Sequence, residues 1–398
     1  VRVYYAEAIY GDEEIEAVTR VLRDKSLTLM DGPSVKQFEQ RVSEKFGKSN
    51  GLMVNSGSSA NTLAMASLGL DAGDEVITPA LTFSTTVAPL VQQGLIPAFV
   101  DVEPDTYVID PEQIERMITD KTKAMMIPNL IGNLANWGRI KEIADKHGLR
   151  TIEDSADTIG NLYKGKPTGT LSDISTTSFY ASHVMTGAGF GGMVCFNDDD
   201  CYRKAKQLRG WGRQSSLVGE SEAIEDRFGV QVDGIEYDSK FVFGDIGYNF
   251  QPSEISAAFG LVQLDRLDDY GSRRQNNFAA MRNFFAEYEK WFILPRQQPE
   301  TRTNWLAVPL IVRPDAPFTR RELQIHFESN NVQTRTVFTG NILRQPGFAN
   351  IVHKADPAGY PNADQVMQGG ILLGCHQGLD AEQMNYVFDV FKSLADKH

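Results

Sequence analysis

Ser178-Phe-Tyr-Ala-Ser-His183-Val-Met-Thr-Gly187-Ala-Gly-Phe-Gly191-Gly192 is the stretch on which the reading of this chain turns. It carries a hydroxyl at Ser178, an imidazole five residues later at His183, and then a glycine-rich run. Met193-Val-Cys-Phe196 follows, an apolar run that reads as a strand, and then the turn-like Asn197-Asp-Asp-Asp200. The spacing Gly187-x-Gly189-x-x-Gly192 imitates a dinucleotide fingerprint, but that motif follows a strand and opens a helix. Here a strand comes next, so nicotinamide binding is not expected. No lysine occurs between Lys166 and Lys204, so no primary amine accompanies the glycines. Taken alone, His183 reads equally well as a satisfied core or surface histidine and as a general base, since an unperturbed imidazole titrates at about 6.5.

Outward from this stretch, the first half of the chain alternates helix-like and strand-like patterns. Apolar residues at helical spacing mark 13–22 and 35–46, the second just after Gly32-Pro33-Ser34, where Ser34 is placed to cap. Residues 51–55 read as a short strand and 61–69 as a helix, with strands again at 75–78, 96–102, 122–127 and 150–153. Helices are expected at 111–118 and 140–147. Such alternation predicts the α/β class, with a mostly parallel sheet covered on both faces. After Gly260 a helical stretch over 261–290 leads to strands near 304–312 and 332–336 and helices near 319–329 and 381–395. The changed rhythm predicts two domains, a large one over 1–262 and a smaller C-terminal α/β domain over 263–398.

Composition agrees with an enzyme of small molecules. A chain of 398 residues that is 41% hydrophobic can bury two cores. The net charge of −13 argues against a nucleic-acid partner or an anionic membrane surface. Phosphate-bearing small ligands remain compatible, because backbone amides and a few polar groups capture them locally. Cys195, Cys201 and Cys375 lie far apart with no CxxC pair and read as reduced, structural thiols. No apolar run reaches the roughly 18 residues a bilayer span needs, and Val1-Arg-Val-Tyr-Tyr has no signal-peptide pattern. A cytoplasmic location is therefore expected.

Two further features carry chemistry. Ser56-Gly57-Ser58-Ser59-Ala60 lies between a strand and a helix, where small residues let backbone amides approach a phosphate. Ile152-Glu153-Asp154-Ser-Ala-Asp157 places acids at the end of an apolar strand. Each pattern alone is common in structures without a ligand.

Their order and spacing, together with Ser178, the glycine run and Gly247-Tyr-Asn249, resemble the DegT/DnrJ/EryC1 sugar aminotransferases. The likeness runs from Gly32-Pro33 to about residue 390. It implies fold type I of the PLP-dependent aminotransferases. It also implies that Gly57, Ser58 and Ser178 hold the phosphate of pyridoxal 5'-phosphate and that Phe83 stacks on its ring. Asp154 would face the pyridine nitrogen and Asp157 the ring hydroxyl. Asn249 would reach the phosphate in a neighbouring subunit, which implies a homodimer with shared active sites. In that family the fifth residue after the serine is the lysine that forms the Schiff base. Here it is His183, which cannot condense with an aldehyde. The coenzyme is therefore expected without a covalent bond, cycling between the pyridoxal and pyridoxamine (PMP) phosphates, with His183 as the catalytic residue.

A branch of the family with histidine at this position consists of 3-dehydratases acting on nucleotide-linked 4-keto-6-deoxyhexoses. Asn129-Leu-Ile-Gly132-Asn133, Arg209-Gly-Trp-Gly-Arg213, Tyr237-Asp-Ser-Lys240 and Phe338-Thr-Gly-Asn341 are similar to its segments. One kind, acting on CDP-sugars, carries an iron–sulfur cluster on four cysteines; another, acting on a GDP-sugar, recharges its coenzyme from L-glutamate. The wording of Gly247-Tyr-Asn-Phe250 is nearer the first kind, yet residues 214–221 and Ser155-Ala156 hold no cysteine where its ligands stand. A cluster needs about four thiolates, so neither a cluster nor any other metal is expected, and glutamate is. Phe190 also departs from the family, which commonly has an acid there. Other readings stay open at this level: an aminotransferase with non-covalent coenzyme, a PMP enzyme with an external redox partner, and a scaffold that has lost catalysis. The nucleotide, whether GDP, CDP or dTDP, is not readable.

Overall fold

A computed structural model describes residues 1–218 and 223–398. Seven strands form the main sheet in the order Asn50–Val54, Gly192–Phe196, Ile174–Ser178, Arg150–Asp154, Thr122–Pro128, Glu75–Pro79, Ile96–Val100. Five of them, from Ile174–Ser178 to Ile96–Val100, run parallel, and Gly192–Phe196 pairs antiparallel with both of its neighbours. Nearly every residue of these strands is buried, as a sheet covered on both faces requires. Ile174–Ser178 is not anticipated above because Ser175, Thr176, Thr177 and Ser178 are polar. Their hydroxyls are buried, and those of Ser175 and Thr176 are bonded within the sheet's surroundings.

A second sheet has four antiparallel strands in the order Phe292–Ile293, Ala307–Val312, Gly370–Gly374, Thr334–Arg335. Leu267–Ala286, Arg320–Ser329 and Ala381–Ala395 cover it, around a core that includes Phe285, Phe292, Phe327 and Phe391. The start of the chain enters this core, where Val3 bridges to Val332.

Three local expectations are corrected. The helical stretch over 261–290 is two helices, Glu254–Asp265 and Leu267–Ala286, interrupted at Arg266. No Gly or Pro marks the break. The Arg266 guanidinium is held by Glu13 and Glu14 at 2.8 Å each, a tertiary pull that overrides local propensity. Residues 111–118 form two short 3-10 turns, Pro111–Gln113 and Glu115–Met117, instead of one α-helix. Asp110 caps the first, and Arg116 is drawn into an ion pair with the buried carboxylate of Asp356.

Ser34 does not cap its helix. Pro33–Lys45 opens at Gly32, and the amides of Gly32, Ser34 and Val35 all donate to the carboxylate of Glu254, at 2.6–3.1 Å. A side chain from a distant helix thus fills the capping role, and Gly32 is required because a Cβ there would lie 2.8 Å from that carboxylate. Glu254→Ala leaves three amides without an acceptor inside the protein and should lower unfolding free energy by about 3 kcal/mol, read from a denaturant melt.

Candidate active site

The carboxyl ends of the parallel strands converge on one cavity of about 260 Å³. The end of a parallel sheet is where α/β folds place ligands, because the loops there are free of the helices that cover the faces. Gly57, Ser58, Phe83, Asp154, Asp157, Ser178 and His183 all line this cavity. Asn249 does not; it is exposed on a segment whose backbone bridges to Gly210.

One end of the cavity suits an anion. Ser56 caps helix Gly57–Ser67 by accepting from the Ser59 amide, which leaves the first-turn amides of Gly57 and Ser58 without intrahelical acceptors. The Ser178 side chain packs against this turn, and a Cβ on Gly57 would lie 2.6 Å from the Cβ of Ser178. Gly192 allows the same approach from the other side, since a Cβ there would fall 2.3 Å from the Ser56 carbonyl oxygen. The glycine run is therefore what lets the turn sit against the strand end. It precedes strand Gly192–Phe196, not a helix, as the sequence predicted.

Another part of the lining is acidic and buried. Asp154 closes its strand and accepts from Asn61 Nδ2 at 2.9 Å and Thr86 Oγ1 at 2.7 Å. Asn61 is in turn fixed by Thr176 Oγ1 at 2.6 Å. Burial raises the Asp154 pKa despite these bonds, so the carboxyl favours its proton unless a cation stands beside it. Thr177 Oγ1, buried in the wall, has no hydrogen-bond partner among the described residues. Phe83 presents a half-exposed ring, edge-on to Phe338 at 5.9 Å.

His183 and Asp157 face each other, with Nε2 and Oδ1 3.8 Å apart. The other imidazole nitrogen, Nδ1, lies 3.4 Å from the Ser178 carbonyl oxygen. A hydrogen on Nδ1 serves that contact and leaves the Nε2 lone pair toward the cavity. Burial holds the His183 pKa down to about 4, with the Arg274 charge acting in the same direction. Burial first, and then the neighbouring Asp154, push Asp157 up to about 7. Oδ2 of Asp157 accepts from the Ile131 amide at 3.1 Å. Ile131 adopts φ of 61°, costly for a β-branched residue, and this conformation aims its amide at the acid.

The family model for the DegT/DnrJ/EryC1/StrS aminotransferases matches residues 8–392. The chain belongs to this family. Its fold is that of the PLP-dependent aminotransferases. The dTDP-4-dehydro-2,6-dideoxy-D-glucose 3-dehydratase of Saccharopolyspora spinosa is 35% identical over 396 residues, covering 97% of this chain and 85% of that one. Among solved structures, the E. coli GDP-4-keto-6-deoxy-D-mannose-3-dehydratase with bound hydrated PLP matches with a TM-score of 0.87 at 28% identity. That match covers 98% of this chain and 100% of the other. A GDP-4-keto-6-deoxymannose-3-dehydratase with a trapped PLP-glutamate geminal diamine matches with a TM-score of 0.86 at 28% identity, over 98% and 99% of the two chains. Relatives of this family member thus include nucleotide-sugar 3-dehydratases.

Several lining or supporting residues escaped the sequence reading: Asn61, Thr86, Thr176, Tyr180 and Phe338. Asn61 had a signal, as an amide at a buried position of a helix otherwise built from small and apolar residues. The three cysteines are free and buried at separate places, Cys201 against Arg150 and Cys375 against the Trp305 carbonyl. Residues 219–221, part of the segment read for missing cluster ligands, lie outside the described residues. No described helix is long and apolar enough to cross a membrane.

The two titrating groups act on stability in opposite directions. His183 binds its proton more weakly folded (about 4) than its ordinary 6.5, so it withdraws stability as pH falls through that window. Asp157 binds its proton more tightly folded (about 7) than its ordinary 3.8, so stability is lost as pH rises through that window. Asp157→Asn removes only the second effect. Its melting temperature relative to the parent should climb between about pH 4 and pH 7 and then level off. A difference that falls over that range would show Asp157 to be stabilised as the anion.

Proposed function

We propose that this chain removes the C3 hydroxyl from a nucleotide-linked 4-keto-6-deoxyhexose, using a non-covalently held pyridoxal/pyridoxamine 5'-phosphate recharged by L-glutamate. The observation that carries the reading is His183: a neutral imidazole whose Nε2 faces the cavity, which no lysine of the described residues lines. When bound, the amine form of the coenzyme supplies a nitrogen for the sugar's C4 ketone and a ring that takes up electron density as the C3 hydroxyl leaves.

The residues fit that group from end to end. Amides of Gly57 and Ser58, with the Ser178 hydroxyl, hold the phosphate, and the helix N-terminus adds its dipole. Phe83 lies against one ring face. Asp154 pairs with the protonated ring nitrogen, which offsets the burial that raises its pKa. Asp157 meets the ring hydroxyl. His183 Nε2 would act as the base that takes up a proton on the coenzyme side and the acid that returns it to the departing hydroxyl, so that one imidazole would serve in turn as base and acid. Asp157 stabilises the imidazolium in between, across 3.8 Å. The sugar leaves as the 3-deoxy-4-keto compound and the nitrogen as ammonia.

The wider arrangement follows the same reading. Asn249, exposed and outside its own chain's cavity, reaches the coenzyme phosphate of a second copy, making a homodimer with shared sites. Residues 1–262 form the coenzyme-binding unit and 263–398 the smaller one, which contributes Phe338 to the rim. The enzyme works in the cytoplasm, with neither nucleic acid nor membrane as partner. Glutamate is assigned as donor because a related dehydratase traps it on PLP and because three dispersed cysteines cannot supply a cluster.

His183→Asn should bind the coenzyme with near-parental affinity, measured by absorbance titration. Its deoxygenation of a nucleotide 4-keto-6-deoxy sugar should fall by 10² or more, measured by product mass. A stable 4-amino sugar with its C3 hydroxyl intact, made by the parent, would assign an aminotransferase instead. Borohydride treatment of the loaded protein should label no lysine, and anaerobically purified protein should contain no stoichiometric iron or acid-labile sulfide.

A further inference from the structure

Behind His183 lies a buried cation that the reading above does not use. Arg274, on helix Leu267–Ala286, is 1% exposed. Its Nε donates to Gln377 Oε1 at 2.8 Å, and its Nη1 donates to the carbonyls of Trp305 and Leu306 at 3.1 Å each. Its Nη2 reaches the His183 carbonyl at 3.5 Å. Gln377, just beyond strand Gly370–Gly374, uses its own amide to hold the next carbonyl, that of Val184, at 3.2 Å. Two side chains bonded to each other thus grip consecutive carbonyls of the catalytic turn. Both come from the C-terminal part of the chain, whereas the turn belongs to the seven-stranded sheet's loops.

We propose that Arg274 and Gln377 form a positioning clamp that fixes the 183–184 turn and places a permanent positive charge behind the imidazole, keeping it neutral and aimed as a base. The inference rests on the reading of His183 as that base. Its physical content is separable from it. A guanidinium in a site closed to water acts on neighbouring protonation far more strongly than at the surface. The groups that face Arg274 are Asp157, His183, Tyr5, Cys375 and His376, and of these only Asp157 offers an opposing carboxylate. The groups facing His183 are Asp157, Arg274 and the edge of the Tyr180 ring. Arg274 depresses the pKa of both histidines beside it, after burial, which is the direction the clamp requires.

The test reads protonation directly. With only six histidines, the His183 ring can be assigned by substitution and titrated by nitrogen-15 NMR in coenzyme-free protein. Arg274→Gln should move its midpoint upward by about one pH unit, while Arg274→Lys, which keeps the charge, should stay near the parent. A folded Arg274→Gln protein with an unmoved midpoint overturns the proposal. Gln377→Met keeps the charge but releases the Val184 carbonyl. It should leave the midpoint in place and lower kcat about tenfold with KM unchanged; an unchanged kcat overturns the positioning role even if Arg274→Gln does not fold. Full dehydration by His183→Asn would instead remove the functional reading, while the titration result would stand on its own.

Discussion

Two adjacent carboxylates on one buried strand set the terms for this molecule. Glu153 and Asp154 project to opposite faces because side chains alternate along a strand. Glu153 is wholly enclosed and accepts from Asn129, Ser155, Thr168 and Ser172. Asp154 enters the cavity. Burying two acids side by side is costly unless each is surrounded by donors. The donors come from two helices, through Asn61 and Thr86, and from loops that carry Asn129, Thr168 and Ser172, so satisfying the acids fixes where those segments lie. Asn129 shows the coupling: its amide nitrogen serves Glu153 and Ser155, while its oxygen accepts from the Ala135 amide and Trp137 Nε1.

The part of the cavity around His183 depends on the same economy of donors, with a different sign. Burial, aided by the guanidinium behind it, keeps the His183 ring neutral, against the Ser178 carbonyl, which favours the charged form. Burial and then the neighbouring Asp154 favour the proton on Asp157, against the single amide it accepts from. Two groups with pKa values displaced in opposite directions thus stand 3.8 Å apart.

Much of this was legible in the sequence. The strand–helix alternation, the small-residue turn, the strand-end acids and the Ser178–His183 spacing all fall in one cavity. What was hidden depended on partners far away in the chain. The polar strand Ile174–Ser178 is buried with the hydroxyl of Thr176 bonded to Asn61 and that of Ser175 to Ser172, partners far off in the chain or in the preceding loop. The break at Arg266 comes from acids on the first helix, and Ser34 loses its capping role to Glu254. Arg274 looked like any helical arginine, since nothing local announces that a guanidinium will be enclosed. Local pattern reads periodicity well and reads nothing about which distant group arrives.

The cap on Pro33–Lys45 also bears on how the chain is made. The carboxylate that accepts from Ser34 stands 220 residues downstream. Val3 likewise waits for Val332. A nascent chain emerging from the ribosome at about 5–20 residues per second holds its first helices without their partners for many seconds. During that interval the apolar faces of Asp12–Arg23 and Pro33–Lys45 have only each other and solvent. Until residue 254 is made, the segment 12–45 therefore stays open to misassociation, because the fold cannot yet cover it.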